Sequence, residues 1–183
     1  MFQIETLENW EVTSFQVGKT LTEQPPNLED KSLINYYGEL TVSFNSYPDV
    51  DLNTNTLYYK LPDPYLRNQI NSYGGDLNYQ ATYSGYNMEG GVQSPDVIMV
   101  GDGISLLYHS GLTPRPNEAI DITAPIDPYY WVLPSGAPID RPKLMVVLTD
   151  VKGIYIKASY GLDYDGASRY RNQLKADDRQ LML

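Results

Sequence analysis

YYKLPDPYLRNQINSYGGDLNYQATY, residues 58–83, carries the pattern of a β-strand that follows a glycine turn. Tyr58 and Tyr59 lead into the Leu61-Pro62-Asp63-Pro64 break, and a short polar connection ends at Ser72-Tyr73-Gly74-Gly75. Beyond it Leu77, Tyr79, Ala81 and Tyr83 alternate with polar residues. A period of two belongs to a half-buried strand, because successive side chains point to opposite faces. Gly74 and Gly75 accept positive φ without a Cβ clash, so the chain can bend sharply there. The reading favoured for this turn is structural, with Tyr73 packed beneath the bend. A ligand loop is the alternative.

The same period recurs along the chain. Leu40, Val42 and Phe44 alternate with polar residues, as do Ile104, Leu106 and Tyr108 after the Gly101-Asp102-Gly103 turn. Val97–Val100 is a continuous apolar run, the mark of a strand buried on both faces. Ile154, Ile156, Ala158 and Tyr160 form a further alternating set, and Arg169–Leu174 is a candidate closing strand. The 13 prolines and 14 glycines fall mostly between these runs. Many short strands without an internal repeat predict an all-β, two-sheet β-sandwich of jelly-roll type. The segment Tyr108–Pro128 reads as a loop over one edge, and Asp163-Tyr164-Asp165-Gly166 as a hairpin tip. One helix is expected near 141–150: Asp140 caps it, Pro142 sits in its first turn, Leu144, Val147 and Leu148 share a face, and Gly153 ends it. Val146 and Val147 also suit a strand.

Composition bounds the function. A chain of 183 residues can bury a full core and is short for two independent domains, so residues 1–183 are expected to form one. Tyrosine is used 17 times against 3 phenylalanines, which suits strands and half-wet surfaces, because Tyr pairs an apolar ring with a polar tip. A formal charge of −10 argues against nucleic acid and anionic membranes. No apolar run approaches the ~20 residues of a membrane span.

The catalytic inventory is poor. His109 is the sole histidine and there is no cysteine, so a cysteine nucleophile and the usual zinc sites are out of reach. No serine sits in a Gly-x-Ser-x-Gly elbow, and no pair among the 23 acidic residues stands out as a glycosidase couple. His109 therefore reads as a surface or satisfied polar residue. Asp49, Asp51 and Asn53 alternate as the opening of a calcium loop does, but the glycine and closing glutamate of an EF-hand are missing. No cofactor is expected. Calcium at those three residues is the metal candidate, weighed against an ordinary solvated loop.

The ordered set of motifs resembles the laminin IV type A (laminin B-type) domain of laminin short arms and perlecan. It runs from the Tyr58–Tyr83 stretch through Ser94-Pro95-Asp96-Val97 with its Gly101-Asp102-Gly103 turn and Tyr130-Trp131. It continues through Arg141–Asp150 to Ile154–Tyr160, covering about residues 57–175. Residues 1–56 fit more loosely, around Trp10. The resemblance implies a helix at 141–150 and a galactose-binding-like sandwich. It also implies a non-catalytic structural or adhesion module, secreted into the basement membrane and flanked by EGF-like modules that carry the disulfides. Nothing at Met1–Glu5 looks like a signal peptide, so an excised domain is expected, and with no Asn-x-Ser/Thr sequon the location rests on the resemblance. Expected partners are matrix or cell-surface proteins or glycans. The alternative function is a carbohydrate-binding module of the same fold, with Tyr86, Tyr129 and Tyr130 as stacking contacts and Trp131 in the core. Sulfated glycans are disfavoured, because no Lys/Arg cluster would meet them.

Overall fold

Alternation along residues 55–60 sends Leu57 and Tyr59 to one face of a strand and Tyr58 to the other, and both faces are buried. A computed structural model describes residues 11–16, 22–24, 32–36, 39–44, 55–84, 94–112, 115, 117–158 and 170–175. Its strands are β1 (Glu11–Gln16), β2 (Thr22–Gln24), β3 (Ser32–Tyr36), β4 (Glu39–Phe44), β5 (Asn55–Lys60) and β6 (Asp76–Ser84). They continue as β7 (Val97–Gly101), β8 (Ile104–Tyr108), β9 (Ile120–Pro125), β10 (Trp131–Val132), β11 (Val151–Lys157) and β12 (Tyr170–Lys175). The helix α1 spans Arg141–Thr149.

The strands form two antiparallel sheets. One has seven strands in the order β10-β8-β7-β11-β5-β1-β2, and the other has five in the order β3-β4-β12-β6-β9. Their inner faces share one core: Leu57, Tyr59, Val97, Met99, Leu106 and Ile156 from the first sheet meet Leu77, Tyr79, Ile122 and Ala124 from the second. Burying each large apolar side chain contributes about 1.5–3 kcal/mol. This is the expected β-sandwich. The outer face of the seven-stranded sheet is apolar as well. Phe15, Tyr58, Ile98, Leu107 and Tyr155 cluster there, with Phe15 edge-on to Tyr58 at 5.4 Å and to Tyr155 at 4.9 Å. The expectation of a doubly buried strand at Val97–Val100 therefore holds, with Val97 and Met99 facing in and Ile98 facing out.

Helix α1 begins where expected. The Asp140 side chain accepts a hydrogen bond from the Lys143 N–H at 3.0 Å, and Leu144, Val147 and Leu148 are buried. It ends at Thr149 with Asp150 as C-cap, within the expected range, but Gly153 does not end it and lies within β11 instead. Gly153 is needed there because a Cβ would meet the Tyr155 ring at 2.6 Å, beside a register shift between Val151 and Gly153. The segment Tyr108–Pro128 is also more than a loop. Ile122 and Ala124 alternate with exposed Asp121 and Thr123, and the run pairs with β6 as strand β9. The prolines around it mask a period of two that is present in the letters. The closing strand expected at 169–174 is β12, and it lies centrally between β4 and β6. Trp10, Tyr160 and the Asp163–Gly166 hairpin tip lie outside the described residues.

The glycine turn of the opening stretch is a docking point. Gly74 has φ of 80° and its N–H donates to the Ile126 carbonyl at 3.0 Å, while the Ile126 N–H donates to the Gly75 carbonyl at 2.8 Å. Tyr73 packs against the core, and the Arg141 guanidinium lies 5.0 Å over its ring, tying the turn to α1. Gly101 serves a different need. A Cβ there would sit 2.6 Å from the Val147 carbonyl oxygen and 2.9 Å from that of Asp150, so the end of β7 lies directly against the helix backbone. Gly101→Ala is expected to cost about 1–3 kcal/mol by overpacking. Gly74→Val has open space but a left-handed backbone, and the strain costs about 1–2 kcal/mol. Thermal unfolding should show both variants melting below the parent. A parent-like melting temperature for Gly101→Ala would contradict the close packing of β7 on α1.

Candidate functional site

The densest polar chemistry among the described residues gathers where the Ser94-Pro95-Asp96 segment enters β7. Asp96 is buried, and its Oδ2 accepts from the Ser110 N–H at 2.7 Å and from the Ser110 hydroxyl at 2.8 Å. Its own N–H donates to the Tyr108 carbonyl at 2.8 Å, and its carbonyl accepts from the Lys157 N–H at 2.9 Å. One short segment thus ties the end of β8 to the end of β11. Tyrosine hydroxyls complete it: Tyr58 donates to the Pro95 carbonyl at 2.8 Å and Tyr79 to the Asp96 carbonyl at 3.4 Å.

The electrostatics follow from this burial. Desolvation pushes the Tyr58 phenol up, the Ser94 hydroxyl beside it pulls the other way, and the Asp96 charge adds to the rise. Burial lowers the Lys157 ammonium, an effect that Asp96 opposes. His109 is exposed at the strand end, and partial desolvation holds its imidazole below the ordinary value; Asp96 favours its charged form and Lys157 disfavours it. His109 is therefore a polar residue at the rim of a structural junction, and the neighbouring Ser110 hydroxyl donates to Asp96. In the sequence Asp96 is one member of the Ser94-Pro95-Asp96-Val97 motif with no role of its own. Its only signal is a carboxylate placed directly before a fully apolar strand.

The tyrosine platform divides in two. Asp127 Oδ1 accepts from the Tyr129 N–H at 2.9 Å and starts a 3-10 turn over Pro128–Tyr130. Tyr129 is 86% exposed and Tyr130 49%, and their rings stand edge to face at 5.1 Å. Trp131 is wholly buried, as expected, with its Nε1–H donating to the Pro125 carbonyl at 2.7 Å and its ring 5.6 Å from Tyr108. The third expected glycan contact, Tyr86, and the calcium candidates Asp49, Asp51 and Asn53 lie outside the described residues. Among the described residues no group of three His, Cys, Asp or Glu is placed to hold a metal ion. No helix among them is long and apolar enough to cross a membrane.

A family model described as Laminin B (Domain IV) matches residues 58–172, starting at the first tyrosine of the stretch quoted above. The chain belongs to the laminin B (domain IV) family. Among its relatives, the basement membrane-specific heparan sulfate proteoglycan core protein of Mus musculus is 30% identical over 152 residues, 79% of this chain and 4% of that protein. Laminin subunit alpha-1 of Mus musculus is 25% identical over 163 residues, 86% of this chain and 5% of that protein. The chain thus spans about a twentieth of these relatives' length. In three dimensions it is similar to the L4b domain of human laminin alpha-2, with a TM-score of 0.69 at 17% identity, covering 96% of this chain and 91% of that one. This laminin B domain is of the secreted, basement-membrane class, an extracellular-matrix structural module by its relatives.

The charges around His109 give a direct check. In an NMR titration its imidazole should turn over below the ordinary value of about 6.5. Asp96→Asn removes the charge that favours imidazolium, so the midpoint should move lower still. A midpoint at or above the ordinary value, or an upward move in Asp96→Asn, would contradict this arrangement.

Proposed function

We propose that the chain serves as a non-catalytic structural module of a basement-membrane protein, residues 1–183 acting as one unit that presents surface to matrix or cell-surface partners. The observation that carries this is how the reactive-looking side chains are used. Asp96 is engaged with Ser110, and the Tyr58, Tyr79, Tyr108 and Trp131 donors all end on backbone carbonyls. Groups spent on holding segments together are poorly placed to transfer protons. The family and its basement-membrane relatives support the same reading.

In such a protein the module would form a globular node between EGF-like repeats. Cysteines at EGF-like spacing on both sides of residues 1–183 in the parent sequence are the expected finding. Flanks without them would sink the proposal.

A second reading has one specific observation in its favour. The exposed Tyr129–Tyr130 pair offers ring surface to a saccharide, as a carbohydrate-binding module requires.

A further inference from the structure

The two sheets turn different outer faces outward. That of the seven-stranded sheet is apolar and buried, whereas the β6–β9 part of the five-stranded sheet carries rungs of hydrogen-bonding side chains. Leu77, Tyr79, Ile122 and Ala124 fill the core, so the alternate residues Asn78, Gln80, Asp121 and Thr123 face outward. Asn78 stands opposite Thr123 and Gln80 opposite Asp121. The Thr123 hydroxyl donates to Asn78 Oδ1 at 2.7 Å, and the Gln80 amide donates to Asp121 Oδ1 at 2.9 Å.

What these bonds leave over is informative. Asn78 keeps its two N–H donors and Thr123 the lone pairs of its hydroxyl, while Gln80 keeps one N–H and its carbonyl oxygen and Asp121 a second carboxylate oxygen. The rungs are about 7 Å apart along the strands, and each offers both donors and acceptors. Sugar hydroxyls both donate and accept, so a saccharide lying along the rungs can satisfy both. An aromatic turn follows them in the chain. Strand β9 runs through Ile126 into the Pro128–Tyr130 turn, where the Tyr129 and Tyr130 rings are exposed.

We propose that the Asn78–Thr123 and Gln80–Asp121 rungs, with the Tyr129–Tyr130 turn, form one binding site for a neutral, hydroxyl-rich oligosaccharide. The site rests on the carbohydrate-binding reading above and extends it from the tyrosines to the sheet. Neutrality follows from charge: the chain carries −10 and the rungs contribute a carboxylate, so sulfated or carboxylated glycans are repelled. Rings stack on the tyrosines, and the rungs set the register by hydrogen bonds.

The test is a microarray of neutral and sulfated oligosaccharides probed with the parent chain, Tyr129→Ala, Asn78→Ala and Gln80→Ala, each checked for an unchanged melting temperature. The parent should bind neutral glycans with little dependence on salt. Tyr129→Ala and either rung variant should each weaken binding about tenfold, the scale of one good contact. Binding to sulfated glycans alone, or to none, overturns the proposal. If Tyr129→Ala loses binding while both rung variants keep it, the rungs are refuted and the tyrosine reading stands. Parent-like binding by Tyr129→Ala removes the tyrosine reading itself.

Discussion

A buried tyrosine or tryptophan brings a polar tip into the core, and that tip must find a partner or cost about 1–3 kcal/mol. This chain builds its core with such residues, 17 tyrosines against 3 phenylalanines, so the requirement shapes the whole fold. Four of these tips end on backbone carbonyls of two segments. Tyr58 and Tyr79 end on Pro95 and Asp96, and Tyr108 and Trp131 end on Thr123 and Pro125. The first segment leads into β7 of the seven-stranded sheet, and the second is the edge strand β9 of the other sheet. Tyr108 and Trp131 belong to β8 and β10, so their bonds tie one sheet to the other along that side. They also occupy carbonyls of an edge strand, while Pro125 offers no N–H, which blunts the edge against pairing with another chain.

The cross-ties separate two jobs. Polar groups inside the sandwich hold segments in place, with Asp96 fastening the strand ends around it through Ser110. Polar and aromatic groups outside it, on β6, β9 and the Pro128–Tyr130 turn, are held firmly and remain open. A matrix module needs that division, because rigid presentation lowers the entropy lost when a partner binds. The asymmetry of the two sheets reinforces it. Apolar residues cover the outer face of the seven-stranded sheet, while Asp121 and Thr123 on β9 are exposed.

Much of the fold was legible because its signals are local. Alternation exposed β4, β6, β8 and β11, and the Asp140 cap with Pro142 marked the start of α1. The ordered motifs pointed to the family. What escaped was set by tertiary contact. Ile120–Pro125 alternates faintly between prolines and becomes a strand by pairing with β6. Gly153 looked like a helix stop, but its small size answers to the Tyr155 ring. The candidate site was half legible. Tyr129 and Tyr130 were visible as an aromatic pair, and Trp131 as core beside them. The rungs of Asn78, Gln80, Asp121 and Thr123 were invisible, since cross-strand neighbours 41 and 45 residues apart meet only through register.

The measurement that bears most directly on these cross-ties is the unfolding free energy of Tyr58→Phe in a denaturant titration. The change deletes one hydroxyl, keeps the ring against Phe15, and leaves the Pro95 carbonyl without its donor. A loss of about 1–3 kcal/mol with an unchanged denaturant slope is the expected result. Stability within about 0.5 kcal/mol of the parent, the range of an ordinary surface substitution, would contradict it.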